Sequence, residues 1–114
     1  MENIKLLSLV VPAYKQEKTI VKDIQALDKA LSAFSFKHEI IVVVDGFVDK
    51  TYEVLKNLKP KTKSLRIIGY KDNRGKGFAI KLGVKEAKGD VIGFIDAGMD
   101  LDPTEISIML DIMD

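Results

Sequence analysis

Three aspartates, Asp96, Asp100 and Asp102, follow the apolar run "VIGFI" (91–95), with Gly98 among them. Carboxylates this close repel one another, so a divalent cation, a helix start or open water has to make the cluster tolerable. Asp102 precedes Pro103-Thr104-Glu105, the pattern of an N-cap, a proline at the first helical position and an acid three residues after the cap. That leaves Asp96 and Asp100 for other work.

Other groups with chemical capacity also fall after apolar runs. Pro12, Ala13, Tyr14, Lys15 and Gln16 follow "LLSLVV" (6–11), and Asp45-Gly46 follows "EIIVVV" (39–44). The polar loop "YKDNRGKG" (70–77) follows "LRIIG" (65–69). An aromatic face can stack on a base, a carboxylate can accept from base or ribose, and a basic glycine loop suits a diphosphate. Each part also has a plainer reading. Tyr14 can pack at a strand end, Asp45-Gly46 can be a tight turn, and the RGKG loop can be a solvated lead into a helix. The loop is not a P-loop, since Gly69 to Gly75 is one residue too long and Lys76 is followed by glycine.

The elements that would carry these groups alternate along the chain. Strands are expected at 6–11, 39–44, 65–69 and 90–95. Ile20, Ile24, Leu27, Leu31 and Phe34 mark a helix over 19–34, with Lys22, Asp23, Asp28 and Lys29 on its wet side. A second helix is expected over 49–58, with Val54, Leu55 and Leu58 inward and Pro60 past its end. A third runs from the glycine loop to about Ala87, with Ala79, Leu82 and Val84 inward and Gly89 after it. A last helix over 103–113 carries Ile106, Met109, Leu110 and Met113. The order βαβαβαβα predicts an α/β fold: a mostly parallel, Rossmann-like sheet with helices on both faces. In such a sheet ligands bind outside the carboxyl ends of the strands, where Tyr14, Asp45, Lys76 and Asp96 all fall.

Composition narrows the function classes. The 114 residues are 46% hydrophobic and 31% charged with net charge +1, so one globular domain is expected and bulk electrostatic binding of nucleic acid is not. Cysteine is absent, which excludes disulfides and thiolate chemistry and fits a cytoplasmic setting. The single histidine, His38, precedes a strand without an evident partner and receives no role. The opening "MENIKLLSLVVPAYK" reads as a strand and not as a signal peptide, and no apolar run nears the roughly 18–20 residues of a membrane span. A signalling receiver domain has this length and alternation, but its acids would follow strands one and three; here they follow strands two and four.

Taken together, the motifs resemble the family-2 glycosyltransferases, inverting sugar-nucleotide enzymes of GT-A fold that include dolichol-phosphate mannose synthases. "VVPAYKQEKTI" resembles the family's P-x-Y-N-E segment, and "EIIVVVDGFVDKT" its V-D-D-G-S-x-D-x-T segment. "NRGKGFAIKLGVKEAKGDVIGFIDAG" is similar to N-x-G-K-G-x-A…G-D…D-A-D. The resemblance implies that Pro12, Ala13 and Tyr14 line a base pocket, with Gln16 beside it. It implies further that Asp45 bonds base or ribose and that Lys76 lies near the phosphates. Asp96 and Ala97 would open the D-x-D motif beside ribose, diphosphate and a Mg²⁺ or Mn²⁺ ion.

The chain departs from this pattern at several positions. Lys15-Gln16 stands for Asn-Glu, Val44 for the first paired aspartate, Phe47 for serine, and Gly98 for the second D-x-D aspartate. Either Asp100 is the replacement metal ligand beside Asp96, the reading preferred here, or the metal site is weak, or it is degenerate.

The resemblance makes residues 1–114 the sugar-nucleotide-binding part of a glycosyltransferase domain, with the catalytic base, the acceptor-binding half and any membrane contact expected beyond Asp114. The donor is expected to be a UDP- or GDP-sugar, the acceptor a lipid phosphate or glycan, and transfer by this part alone poor. A homodimer through apolar surface is a further expectation, as is membrane association of a longer protein. The rival reading from another class is a non-catalytic nucleotide-binding or assembly module with a degenerate metal site.

Overall fold

The structure, a computed structural model, describes residues 4–96. Seven elements other than a short 3₁₀ turn follow one another along them. They are β1 (Leu6–Ala13), α1 (Ile20–Ser32), β2 (Lys37–Asp45), α2 (Thr51–Leu58), β3 (Leu65–Tyr70), α3 (Lys76–Glu86) and β4 (Val91–Phe94). The 3₁₀ turn, Lys59–Lys61, carries Pro60, whose ring stops α2 from running on. The expected helix over 103–113, with Asp102 as its cap, lies outside the described residues.

All strand pairs are parallel, in the order β3-β2-β1-β4. From β1 to β3 the chain steps outward one strand at a time, and then it jumps back over β2 to the far side of β1. Right-handed crossovers travelling in opposite directions must place their helices on opposite faces. Accordingly α1 and α2 pack on one face, against Leu9, Val11, Ile40, Val42 and Leu65. On the other face α3 lies over Val10, Ile41 and Val43 through Ala79.

Coverage on both faces explains why β2 has no polar alternation: Ile40 through Val43 are wholly buried. The α1 stripe is also as periodic as expected. Ile20, Ile24, Leu27 and Leu31 are wholly buried, and truncating one of them to alanine would cost about 2–5 kcal/mol. Phe34 falls outside the helix but still packs on this core and stacks on Phe36 at 5.2 Å.

Two expectations need correction. Val84 is 41% exposed, not inward. The close approach of α3 is made instead by Gly83, where a Cβ would stand 2.3 Å from Val10 Cγ1. Gly83 lets the helix backbone come down on the sheet beside the buried Ala79 and the packed Leu82. His38 does have a partner: its Nε2 lies 2.7 Å from Asp28 Oδ1, which also accepts from Ser64 Oγ at 2.6 Å. The two bonds tie α1 to the start of β2 and the lead into β3. Burial pushes the Asp28 pKa up, but the bonds from Ser64 and His38 and the charge of His38 outweigh it and hold the carboxyl low.

A second polar cluster closes the amino end of the sheet. Glu39, nearly buried, accepts from Ser8 Oγ, from the Lys88 N–H at 2.8 Å and from Arg66 Nη1 at 2.9 Å. Arg66 also donates to the Glu86 carbonyl, and Ser8 Oγ accepts the Gly89 N–H at 2.8 Å. Asp90 then accepts the Lys5 and Leu6 N–H groups. These contacts fix where α3 ends and β4 begins, and so where β4 delivers Asp96.

Candidate nucleotide site

The strand order reverses between β1 and β4, the place where an open parallel sheet leaves a crevice at its carboxyl edge. Pro12 helps to open it. Leu6 and Val10 carbonyls accept from Asp90 and Ile95 of the β4 segment, so even-numbered β1 residues face β4. Pro12 is the next in that series and has no N–H to continue the ladder. Pairing with β4 ends at Val10, whereas pairing with β2 runs on to Ala13. The strands part just before Asp96, and a cleft of about 520 Å³ fills the gap.

Pro12, Ala13 and Tyr14 line this cleft, Pro12 and Ala13 buried and the Tyr14 ring 40% exposed. Lys15 then turns the chain with φ 52°, a left-handed conformation unusual for a residue with a side chain, and its ammonium lies 5.3 Å from the Tyr14 ring centre. The Gln16 carbonyl accepts from Thr19 and Ile20 to start α1, and its side-chain oxygen accepts the Thr19 hydroxyl at 3.0 Å. Gln16 and Thr19 both line the cleft.

The loop is held from across the sheet. Thr51 Oγ1 accepts the Gln16 N–H at 2.9 Å, and Asp49 accepts the Thr51 N–H at 2.9 Å, the Thr51 hydroxyl and the Glu17 N–H. Asp49 and Thr51 lie in the segment "EIIVVVDGFVDKT", at the start of the helix expected over 49–58. Their spacing is that of an aspartate closing a turn before a helix, and this was the available signal. Burial raises the Asp49 pKa, and the bonds from Thr51 and Glu17 outweigh it and keep the carboxyl charged.

Asp45 sits at the end of β2, 4% exposed and in the cleft wall. Its Oδ1 accepts the Tyr70 hydroxyl at 2.6 Å and the Arg74 N–H at 2.8 Å. Its Oδ2 accepts Asn73 Nδ2 at 2.7 Å and the Gly75 N–H at 3.0 Å. Four donors match the roughly four acceptor positions of a carboxylate. Burial first, then the Asp45 bond and charge, drive the Tyr70 phenol far above its ordinary pKa. Gly46 has φ 99° and packs where a Cβ would stand 3.0 Å from the Asn73 nitrogen, so the Asp-Gly turn forms and also receives the loop.

Gly75, at φ 97°, ends that loop and opens α3. No side chain caps α3 and no acid lies in its first turn, while Gly75 and Lys76 line the cleft. An uncapped helix start presents N–H groups and positive potential suited to an anion. Lys76 Nζ makes an ion pair with Asp96 Oδ2. Arg74 lies outside the lining, its guanidinium 5.0 Å over the Phe78 ring.

Of the expected site residues, Pro12, Ala13, Tyr14, Gln16, Asp45, Lys76 and Asp96 are gathered at this one cleft. Ala97 and Asp100, with Gly98, lie outside the described residues. Gly75 of the expected glycine loop lines the cleft too, and Thr19 and Asn73 join it without a sequence signal of their own. Among the described residues no three acidic, histidine or cysteine side chains gather around a common point, and no helix is long and apolar enough to cross a membrane.

A family model described as Glycosyl transferase family 2 matches residues 8–114. Human dolichyl-phosphate beta-glucosyltransferase is 38% identical over 103 residues, which cover 82% of this chain and 31% of that protein. The S. aureus TarS structure in complex with UDP-GlcNAc superposes with a TM-score of 0.74 at 24% identity, over 95% of this chain and 31% of that one. The mannosyltransferase PcManGT from Pyrobaculum calidifontis, in complex with GDP-Man and Mn²⁺, gives a TM-score of 0.68 at 20% identity, over 80% of this chain and 27% of that one. The chain therefore spans about a third of the length of the proteins it matches.

Proposed function

The chain belongs to glycosyl transferase family 2, and from that premise we propose that its cleft binds a UDP- or GDP-sugar for inverting transfer of the sugar to an acceptor. The observation that carries the reading is the cleft itself. It lies at the strand-order reversal, with the exposed Tyr14 ring on one side and the uncapped start of α3 with Lys76 on the other. An aromatic face and an anion-binding helix start are the two ends of a nucleoside diphosphate.

In this reading Tyr14 stacks on the base over a floor of Pro12 and Ala13, with Gln16 and Thr19 at its edge. Lys76 and the first N–H groups of α3 take the diphosphate. Asp45, whose acceptor positions are filled from within the chain, serves by shaping the Asn73–Gly75 loop; a direct bond to base or ribose would have to displace one of its present donors. Asp96 is a hard oxygen donor suited to Mg²⁺ or Mn²⁺, and such ions are commonly held by one or two carboxylates plus substrate phosphates. The donor set thus fits a divalent cation with Asp96 as its protein ligand, joined by Asp100 in the proposal from sequence. When bound, the ion would offset the charge of the diphosphate leaving group.

The proposal extends to the whole protein in four respects. Residues 1–114 form its donor-binding part, poor at transfer alone. The base carboxylate that would deprotonate a hydroxyl acceptor lies beyond Asp114, and a phosphate acceptor, already anionic, attacks without it. The acceptor is a lipid phosphate, the class named in the human relative, and the setting is cytoplasmic.

Calorimetry of the intact protein with UDP-glucose and GDP-mannose, with and without Mn²⁺, tests the reading. Binding of one donor, strengthened by Mn²⁺ and weakened by Asp96→Asn, is expected. No binding of either donor at millimolar concentration would overturn it.

A further inference from the structure

The Lys76–Asp96 ion pair spans the cleft from the first residue of α3 to the segment after β4. Stability does not account for it. The Lys76 side chain is 59% exposed, and pairs this open to water contribute little. Its consequence is chemical. Among the described residues, the two carboxylates lining the cleft are Asp45 and Asp96. Asp45 is filled by four donors from its own fold. Asp96 is the one left for a cation, and the chain's own ammonium already covers it.

A divalent ion and Lys76 therefore compete for one oxygen group. Without a diphosphate the ion would gain Asp96 as its one ligand among the described carboxylates of the cleft that is not already filled by the fold. A diphosphate alters both sides of the competition. It offers the ammonium a second anion beside the start of α3, and it supplies further oxygen ligands to a Mg²⁺ or Mn²⁺ ion at Asp96.

We propose that Lys76 is an internal counter-cation that closes Asp96 to metal until a diphosphate draws its ammonium away, so that metal and donor enter together. This rests on the reading of the cleft as a nucleotide-diphosphate site. It adds an order of binding and a positioning role for one lysine.

The test follows free Mn²⁺ by electron paramagnetic resonance in the intact protein, with and without UDP or GDP. The wild type should take up Mn²⁺ weakly alone and about tenfold more tightly with the diphosphate that it binds. Lys76→Met, which keeps the stem and removes the charge, should raise the nucleotide-free affinity about tenfold. Adding Asp96→Asn to that variant should abolish the gain. Lys76→Gln provides a second charge-free side chain should the methionine variant melt early. Unchanged or weaker nucleotide-free Mn²⁺ binding in both lysine variants would overturn the proposal, as would wild-type affinity indifferent to diphosphate. Binding of UDP and GDP is measured separately by calorimetry. Loss of that binding would count against the nucleotide reading, while the nucleotide-free arm still judges the lysine.

Discussion

The Gly75 N–H donates to Asp45 Oδ2 at 3.0 Å, joining the end of β2 to the residue that opens α3. With the bonds from Tyr70, Asn73 and Arg74, it makes one carboxylate the template for a loop that carries no regular structure of its own.

Replacing that carboxylate should therefore disturb the loop before the sheet. Asp45→Asn presents an NH₂ to donors that need acceptors, and it should cost about 2–4 kcal/mol of unfolding free energy. Tyr70→Phe removes one donor and should cost about 1–2 kcal/mol. Urea denaturation measures both. Faster amide exchange at Arg74 and Gly75 than in β2 would locate the effect.

Acid should weaken the clamp at the opposite end of the sheet. Burial pushes the Glu39 pKa up, but bonds from Ser8, Lys88 and Arg66 and the Arg66 charge outweigh it, so the folded pKa lies below the ordinary 4.5. A depressed carboxyl contributes stability above its unfolded pKa and loses it as pH falls through the folded one. Glu39→Gln should thus be less stable than wild type at neutral pH. Its melting temperature should also fall less steeply below pH 4.5. Parallel acid profiles for the two proteins would contradict this assignment.

Two glycines of α3 should respond to alanine with opposite signs. At Gly83 the new Cβ would meet Val10 Cγ1 at 2.3 Å, and overpacking should cost about 1–3 kcal/mol. At Gly77 nothing lies within 4 Å, and alanine should stabilise the helix by about 0.5–1 kcal/mol. Thermal melting of the two variants decides it.

Lys15 holds φ 52° between β1 and α1. Asparagine tolerates that region better, and Lys15→Asn should add up to about 1 kcal/mol of stability. The same change removes the ammonium beside the Tyr14 ring. A stability gain in thermal melts with unchanged donor affinity would assign Lys15 to the turn, and weakened affinity would extend its role to the cleft.

Much of this was legible in the sequence because it follows local periodicity. The α1 stripe, the two-sided apolar run of β2 and the placing of polar residues after each strand all predict the sheet and its carboxyl edge. What escaped depends on contacts between distant residues. Val84 is apolar, which predicts an inward side chain, but helix seating selects the position nearest the sheet, and there only a glycine, Gly83, fits. The His38–Asp28 pair joins residues ten apart on different elements, which no spacing rule signals. The saturation of Asp45 needs the loop folded back over it, so the sequence showed a cleft carboxylate but not that its acceptors were taken. The apolar run predicts a strand ending before Pro12, whereas Pro12 remains in β1 and lies beyond the end of the ladder toward β4.

The central claim is that one nucleotide-diphosphate sugar occupies the cleft between Tyr14 and the start of α3. Site-resolved amide NMR of the intact protein during titration with UDP-glucose or GDP-mannose, Mg²⁺ present, tests it most directly. The account predicts saturable shifts centred on Tyr14, Gln16, Gly75, Lys76 and Asp96, with Ser8, Glu39 and Lys88 at the far end of the sheet unmoved. Shifts absent with both donors, or centred away from these residues, would contradict it.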